Sequence, residues 1–213
     1  MGNKNIKKAK NLQSEETMLR ILKQAMRLFL EKGYHGTSIE DITQAAGLTR
    51  GALYWHYKKK EDLLKKIIEE FEKRSLDGLI HSVREVKGGA LDKFEKMLRY
   101  NAAFAYYNRE LCVSFTTLAV EFLGAHHRIE TKFRHIYEKY QNFLSDLILQ
   151  GQKEKVFNKK INAKLTALDI MAFHDGILLH WSMNRGKIDE RAFVETYRKI
   201  ILNGLWAYQD KLK

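Results

Sequence analysis

The 213-residue sequence contains no proline, although average usage would give about ten. Proline interrupts a helix from within, because it lacks the N–H donor that the helix needs. Its absence permits long helices, and most segments repeat their apolar residues every three to four positions, as amphipathic helices do. We therefore expect an all-α protein.

Two further scarcities narrow the class of protein. Cys112 is the only cysteine, so the chain forms no internal disulfide, which suits the reducing cytoplasm. No apolar run of about 18 residues is present, and we expect neither a membrane span nor a membrane partner. The Gly-x-Ser-x-Gly, P-loop and HExxH motifs are also missing, so we expect no enzyme and no cofactor.

Acidic residues are fewer than basic residues, and the excess of basic residues is unevenly distributed along the chain. The net charge is +12, from 38 Lys and Arg against 26 Asp and Glu. Through residue 60 there are 12 basic and 5 acidic residues, which leaves +7 in less than a third of the chain. This asymmetry favours a polyanionic partner for the N-terminal part. On charge alone, a basic surface that only keeps the protein soluble is the simpler explanation.

The first helix is predicted to begin at Ser14, an acceptable N-cap that Glu15 and Glu16 follow, and to end at Gly33. Residues 1–14 contain four lysines and no acid, and we expect them to form a flexible basic arm. The buried stripe of the helix is predicted to be Met18, Ile21, Leu22, Ala25 and Phe29.

Two short helices are predicted next. Thr37 and Glu40 have the spacing of a capping box, and Gly47 ends the helix that they open. Only Leu48 and Thr49 separate Gly47 from the following helix, which Thr49 is expected to cap. Two short helices joined through a glycine turn indicate a helix-turn-helix.

The rest of the chain is predicted to form a larger helical body. A helix begins near Glu61, and helical patterns rich in aromatic residues follow at about 90–107, 109–125, 127–155, 162–184 and 189–211. We therefore divide the chain into the basic arm, a small domain at 15–75 and a body at 76–213.

Residues 15–61, and GYHGTSIEDITQAAGLTRGALYWHYKKKEDLL in particular, resemble the DNA-binding domain of the tetracycline-repressor (TetR) family. The glycine turn, the Leu-Tyr-Trp-His run and the following lysine keep the family's spacing. The segment DGILLHWSM, at 175–183, also resembles the multidrug-regulator branch of that family. The resemblance implies a three-helix DNA-binding domain, with its recognition motif at about 38–57, and a C-terminal helical bundle for ligand binding and dimerisation.

The start of the second short helix is expected to read bases, because a recognition helix presents its N-terminal end to the major groove. Thr49 and Arg50 occupy that end, and an arginine can bond both O6 and N7 of guanine. Gly51 lacks a side chain, so the backbone can come close to DNA there, unless it is merely a glycine at a helix start. The residues expected to face the core are Leu53, Trp55 and Tyr57.

The resemblance implies that Tyr54, His56 and Lys60 contact phosphates, for which their O–H and N–H groups are suitable donors. It implies the same for Thr37 and Ser38, although both are equally compatible with capping alone. The four lysines of the arm either follow the DNA backbone or minor groove, or only solvate the chain.

Lys59 departs from the family pattern. The family often has Asn, Asp or Ser there, whereas a lysine caps nothing and opposes the helix dipole. We therefore expect Lys59 to reduce the stability of the free helix and to increase the affinity for DNA.

A lone helix-turn-helix binds weakly, and most such proteins dimerise to read two half-sites. The last two helices are apolar enough for a dimer surface, although core packing could absorb part of them, and the resemblance implies a four-helix bundle made from two such pairs. We predict a homodimer through these helices, with stripes at Ile170, Phe173, Ile177 and Trp181, and at Phe193, Tyr197, Ile200, Ile201, Leu205 and Tyr208.

Aromatic residues are frequent in the middle helices. Aromatic side chains line ligand cavities, but an aromatic stripe is also typical of a core. The resemblance favours a cavity for a small lipophilic or aromatic effector. The candidate lining residues are Tyr100, Phe104, Phe122, Tyr137, Phe173, His174 and Trp181.

The histidines do not predict a metal site. His126 and His127 are adjacent and point to different faces of a helix, and His135 follows without a partner at zinc-ligand spacing. His174 and His180 are six residues apart, which also separates their faces. We expect no bound metal.

These features together predict a one-component, ligand-responsive regulator of transcription. In the simplest scheme it is a repressor, which an effector releases from a palindromic operator in double-stranded DNA. Two alternatives remain open. One is a non-specific nucleic-acid-binding protein, and the other is a helical enzyme or lipid carrier whose helix-turn-helix mediates protein contacts.

Overall fold

The computed structural model describes residues 2–125, 127–184 and 186–205, with side chains from residue 13 onward. The described ranges are helical and joined by short loops, which confirms the all-α prediction. None of their helices has both the length and the apolar character that a membrane crossing requires. The helices are α1 Gly2–Lys32, α2 Ile39–Ala45, α3 Arg50–His56, α4 Lys60–Phe71, a π-helical segment Glu72–Asp77, α5 Gly78–Arg84, α6 Ala90–Tyr107, α7 Arg109–Glu121, α8 Arg128–Lys153, α9 Ala163–Met183 and α10 Glu190–Leu205.

Helix α1 begins at Gly2, so the start predicted at Ser14 is wrong. The segment expected to be a flexible arm continues the helix, because its lysines, leucine, alanine and glutamine are good helix formers and no proline interrupts them. Ser14 lies inside the helix, where a serine costs only about 0.5 kcal/mol relative to alanine.

Helix α2 has its capping box one residue later than predicted. The Ser38 hydroxyl accepts the Asp41 N–H at 3.0 Å, and the Asp41 carboxylate accepts the Ser38 N–H at 2.8 Å. Thr37 does not take part, because its buried hydroxyl donates to the Gly33 carbonyl at 2.8 Å. Gly47 has a φ of 61°, and this left-handed turn leads to α3 as the sequence predicts.

Helices α4 and α5 are joined by the π-helical segment without a loop. The domain boundary that the sequence places at 75–76 therefore falls inside a continuous helical stretch. Lys139 of α8 bonds both ends of the segment, at 2.8 Å to Glu72 and 2.7 Å to Asp77. Tyr100 of α6 donates to the Arg74 carbonyl at 2.7 Å.

Two apolar cores hold the helices together. The first lies beneath the helix-turn-helix and extends into α7 and the beginning of α8. The second lies between α5, α6, α8, α9 and α10. Because the first core crosses from the N-terminal helices into the body, the two regions support each other. Its largest members include Phe29, Ile42, Leu53, Leu64, Phe115, Phe122 and Phe133.

Candidate nucleic-acid interface

Helix α3 is fixed by one side and presents the other to solvent. Leu53 is fully buried and Tyr57, four residues later, is buried on the same side. Trp55 is 76% exposed, so the prediction that it faces the core is wrong. A helix turns about 100° per residue, and Trp55 therefore lies about 200° around the helix from Leu53.

The first turn of α3 is capped and carries an exposed cation. The Thr49 hydroxyl accepts the Ala52 N–H at 3.2 Å, which confirms Thr49 as the cap. The Arg50 side chain is 64% exposed and pairs with Glu40 of α2. Exposed ion pairs contribute only about 0–1 kcal/mol, so this pair orients Arg50 without preventing it from binding elsewhere.

Gly51 has no structural reason to be glycine in the free protein. A Cβ atom built there approaches only the Thr49 hydroxyl, at 4.0 Å. The helical backbone at Gly51 is therefore open to a body outside the chain.

The outer side of α3 carries two further hydrogen-bonding groups. Tyr54 is 46% exposed, and His56 places its ring edge-on to Trp55, with centroids 4.7 Å apart. The Tyr54 hydroxyl and the His56 ring have no hydrogen-bond partner within the described residues. Arg50, Tyr54 and His56 together give the accessible surface of α3 the donors that phosphates and base edges require.

Lys60 and Thr37, both expected to contact phosphates, are used inside the protein. The Lys60 ammonium donates to the carbonyls of Tyr34 and Thr37, at 2.7 Å each, and lies 4.3 Å from the centre of the Tyr34 ring. Burial lowers the pKa of Lys60. The Thr37 hydroxyl donates to the Gly33 carbonyl, and the Thr37 carbonyl accepts from Lys60. The structure therefore gives Thr37 a packing role. One ammonium hydrogen of Lys60 remains, and its contact with DNA stays a prediction.

Lys59 is the N-cap residue of α4, and its side chain makes no cap hydrogen bond, as the sequence predicts. The Asp62 carboxylate accepts the Lys59 N–H at 3.0 Å and closes the helix end from the other side. Lys58 and Lys59 are both exposed. Ser38 is also exposed, with its hydroxyl bonded to Asp41.

Glu121, at the end of α7, joins the body to the N-terminal helices. Its carboxylate accepts the N–H groups of Tyr34 at 2.8 Å and His35 at 3.1 Å, in the loop that Lys60 also binds. No sequence signal points to Glu121, because its partners lie more than 80 residues away. Phe122 packs on the Tyr34 ring with centroids 5.2 Å apart and belongs to the first core, beneath the helix-turn-helix, so its role in an effector site stays a prediction.

The other candidate effector residues are divided among three places. Tyr100 lies parallel to Phe104, with ring centroids 6.2 Å apart, next to the π-helical segment. Trp181 donates to Glu190 at 2.9 Å, and Phe173 is 49% exposed and lines a groove between α9 and α10. Tyr137 and His174 remain in the interior of the body.

That interior contains a polar cluster surrounded by rings. The Tyr137 hydroxyl lies 3.5 Å from the Asp175 carboxylate, and the Tyr140 hydroxyl lies 2.9 Å from His174 Nδ1. Burial raises the pKa of Asp175 to about 6 and lowers the pKa of His174 to about 4. Both shifts have the direction expected for a charged form removed from water.

The histidines are not arranged as metal ligands. His127 caps α8, where its Nδ1 accepts the Ile129 N–H at 3.2 Å, and His126 lies outside the described residues. Among the residues that the structure describes, no group of three His, Cys, Asp or Glu side chains is placed to hold a metal ion.

Helices α9 and α10 expose an apolar face. A groove between them is lined by Phe173, Ile177 and Phe193. The stripes predicted for this face are partly wrong, because Ile170, Ile201 and Leu205 are buried in the second core, and Tyr208 lies outside the described residues. The exposed apolar residues are Leu165, Leu168, Phe173, Leu179, Met183, Val194 and Ile200.

Two protein-family models match most of the chain. Residues 21–67 match the model of bacterial regulatory proteins of the TetR family, and residues 87–205 match the tetracyclin repressor-like C-terminal domain.

Curated relatives of similar length are transcriptional and metabolic regulators by name. The HTH-type transcriptional regulator AcrR of Shigella flexneri is 25% identical over 192 residues, which cover 89% of each chain. The fatty acid metabolism regulator protein of Bacillus subtilis is 21% identical, over 91% of this chain and 97% of its own.

Solved structures have the same fold. The MbdR regulator from Azoarcus sp. CIB superposes with a TM-score of 0.80 at 28% identity, over 89% of this chain and 98% of its own. FadR from Bacillus subtilis, in complex with stearoyl-CoA, superposes with a TM-score of 0.70 at 21% identity, over 88% and 98% of the two chains.

Proposed function

Because the chain belongs to the TetR family of bacterial regulatory proteins and is a ligand-responsive, DNA-binding regulator, we propose that it represses transcription as a homodimer on a palindromic operator. The observation that supports this proposal most directly is the exposed side of α3. There a capped helix end, an exposed arginine and a glycine with free space around it occupy one turn.

The exposed apolar face of α9 and α10 supports the dimer. A monomer in water rarely leaves so many large apolar side chains uncovered on two adjacent helices. A second copy packed on this face would cover them and would carry a second α3. Two recognition helices about 34–36 Å apart fit successive major grooves on one side of DNA.

An apolar effector bound in the body would release the operator. The ring-lined interior and the stearoyl-CoA held by the Bacillus subtilis structure support an effector with an apolar part. Glu121 of α7 and Lys60 of α4 bind the loop between α1 and α2 that leads into the helix-turn-helix, so a displacement of either helix would be transmitted to α2 and α3. By linkage, the operator must weaken effector binding by the same factor.

The test is a footprint of the full-length protein on DNA that flanks its own gene. We expect a discrete, symmetrical protected region. With roughly eight phosphates neutralised per dimer, the logarithm of the binding constant should fall by about seven per decade of salt. Equal affinity for every sequence would indicate the non-specific binder, and no binding at all would indicate the helical enzyme or carrier.

Arg50→Ala tests base reading within the same assay. Removal of a bidentate hydrogen bond to guanine costs about 1–3 kcal/mol, so operator affinity should fall about 5- to 150-fold per half-site. Arg84→Ala, which removes the same charge from the exposed side of α5, is the matched control and should leave affinity nearly unchanged. If the two variants weaken binding equally, Arg50 contributes only charge.

A further inference from the structure

Five buried polar side-chain atoms lack a hydrogen-bond partner among the described residues, and all lie on α7, α9 or α10. They are Arg109 Nε, Ser114 Oγ, His174 Nε2, Ser182 Oγ and Tyr197 Oη. Buried polar atoms in folded proteins are nearly always paired, and each exception requires a reason. Their concentration in α7, α9 and α10 indicates that something other than the described residues supplies partners there.

Two of these atoms belong to neighbouring rings on facing helices. His174 of α9 and Tyr197 of α10 have centroids 5.4 Å apart and meet edge to face. The Tyr140 ring stacks on His174 with centroids 5.9 Å apart. Phe143 and Tyr137 pack against the same core. The two residues that carry these unpaired atoms are therefore neighbours in apolar, aromatic surroundings.

The hydrogen-bond chain that ends at His174 determines which of its nitrogens carries hydrogen. Asn101 donates to the Tyr140 hydroxyl oxygen at 2.8 Å, which leaves the Tyr140 proton to be donated to His174 Nδ1 at 2.9 Å. Nδ1 is then the acceptor, and Nε2 carries the hydrogen. Burial lowers the pKa of His174 to about 4, so the ring is neutral at pH 7. His174 and Tyr197 consequently offer two uncharged donors.

We propose that His174 Nε2–H and Tyr197 O–H donate together to one carbonyl oxygen, and that the effector is a neutral acyl compound, such as an ester, thioester or ketone, on an apolar body. This inference rests on the proposed effector site in the body and specifies its chemistry. A single oxygen with two lone pairs can accept both donors at once.

The charge near the two donors argues for a neutral ligand. Asp175 follows His174 directly, and its one hydrogen-bond partner among the described residues is the Tyr137 hydroxyl at 3.5 Å. With a pKa of about 6, Asp175 is mostly ionised at pH 7.5 and repels a carboxylate placed beside it. A cationic ligand would be attracted to Asp175 but has nothing to accept from His174 and Tyr197.

The experiment combines one variant with a set of probes that share a ten-carbon chain. Binding of S-methyl thiodecanoate, methyl decanoate, decanoate, decane and decyltrimethylammonium to the full-length protein is measured by calorimetry at pH 7.5. We expect the two neutral acyl compounds to bind at least about tenfold more tightly than the other three.

Tyr197→Phe removes one donor and keeps the ring. We expect it to weaken methyl decanoate about tenfold and to leave decane, which has no acceptor, unchanged. It should also raise the melting temperature of the free protein, because it deletes a buried hydroxyl without a partner. Tyr106→Phe, at an exposed tyrosine of α6, is the control and should change neither quantity.

Three results would overturn the proposal. A lower melting temperature for Tyr197→Phe would mean that a bound water or another structural partner already satisfies the hydroxyl. Tighter binding of decanoate or the ammonium probe would assign the site to a charged ligand, and failure of both acyl probes to bind would exclude the acyl class. The operator footprint of the wild-type protein would persist in each case, whereas failure of the proposed function would abolish it.

Discussion

The N-terminal helices and the body differ in how completely they satisfy their buried polar groups. Among the described side chains from 13 to 108, no buried polar atom lacks a partner, and the buried hydroxyls of Thr37 and Thr43 both donate to carbonyls. In α7, α9 and α10, five such atoms are unpaired. The helices from α1 to α6 thus satisfy their buried polar side chains and form a platform for α3, whereas α7, α9 and α10 hold the unpaired atoms that the proposed effector would meet.

The difference exists although the two regions share a core. Glu121 and Lys60 hold the loop between α1 and α2, and Lys139 holds the π-helical segment between α4 and α5. A displacement of helices in the body can therefore be transmitted through these hydrogen bonds to the N-terminal helices. This arrangement suits a regulator in which one part senses a ligand and the other part must keep its shape.

The largest expected effect tests the rigidity of the platform. Leu53→Ala should lower the free energy of unfolding by about 2–5 kcal/mol, because it opens a cavity at a fully buried position under α3. Urea denaturation at 25 °C measures this change. Trp55→Ala, two residues away and exposed, is the control and should change stability by about 0.5 kcal/mol or less. Equal destabilisation by both variants would contradict the orientation of α3.

The sequence predicts the platform better than the body, for a physical reason. Thr49, Gly47 and the pair Leu53 and Tyr57 are predictable because caps, turns and helical faces depend on residues within four positions of one another. The position of Trp55 follows from the same periodicity once Leu53 is known to be buried, although its large ring favours a core assignment.

Interactions between distant helices cannot be read from such local patterns. Phe122 and Trp181 have the residue types of a cavity lining, yet Phe122 packs under the helix-turn-helix and Trp181 bonds Glu190. The start of α1 was predicted wrongly for another reason. Ser14 is a suitable N-cap residue, but no residue between Gly2 and Ser14 interrupts the helix, which therefore begins earlier. Packing between distant helices determines where Phe122 and Trp181 lie, and the uninterrupted helix determines where α1 begins.

The second largest effect tests the incomplete interior. Asp175→Asn should raise the free energy of unfolding at pH 7.5 by up to about 3 kcal/mol, because it removes a buried carboxylate that no cation balances among the described residues. Asp175 has a folded pKa of about 6, above its ordinary value of 3.8, so its protonated form is the one that the fold favours.

The difference between the variant and the wild type should therefore be small below about pH 4, grow as the pH rises from 4 to 6, and stay nearly constant above about pH 6. His174 titrates in the same range, with a pKa lowered to about 4, but it does so in both proteins and cancels from the comparison. Urea denaturation at pH 4, 5, 6 and 7.5 measures the profile. A difference that stays constant with pH would show that the Asp175 carboxyl does not titrate as its burial implies.

A smaller effect separates the contribution of Gly51 to the stability of the platform from its contribution to DNA binding. Gly51→Ala should stabilise the free protein by up to about 1 kcal/mol, because alanine favours a helix and its Cβ has free space at this position. The same methyl group should weaken operator binding if the α3 backbone lies against DNA. Gly204→Ala in α10, where a Cβ also meets nothing within 4 Å, is the control for stability without a decrease in DNA affinity. Unchanged operator affinity for Gly51→Ala would exclude the close backbone approach.

The smallest effect concerns Lys59, the N-cap residue of α4, whose side chain makes no cap hydrogen bond. Asp62 already accepts the Lys59 N–H, but no side chain accepts the first N–H groups of α4 at this N-cap. Lys59→Asn should add that acceptor and raise the free energy of unfolding by about 0.5 kcal/mol. It should also weaken operator binding and reduce the salt slope by about 0.9 for each phosphate that the lysine neutralises.

Lys58→Asn removes the same charge from the neighbouring exposed residue, which is not an N-cap. It should reduce DNA affinity without raising stability, so the pair of variants separates the effect of charge from the effect of capping. If Lys59→Asn alters neither the unfolding free energy nor the salt slope, the lysine has no role in this balance. If it alters stability alone, Lys59 reduces the stability of the platform without binding DNA.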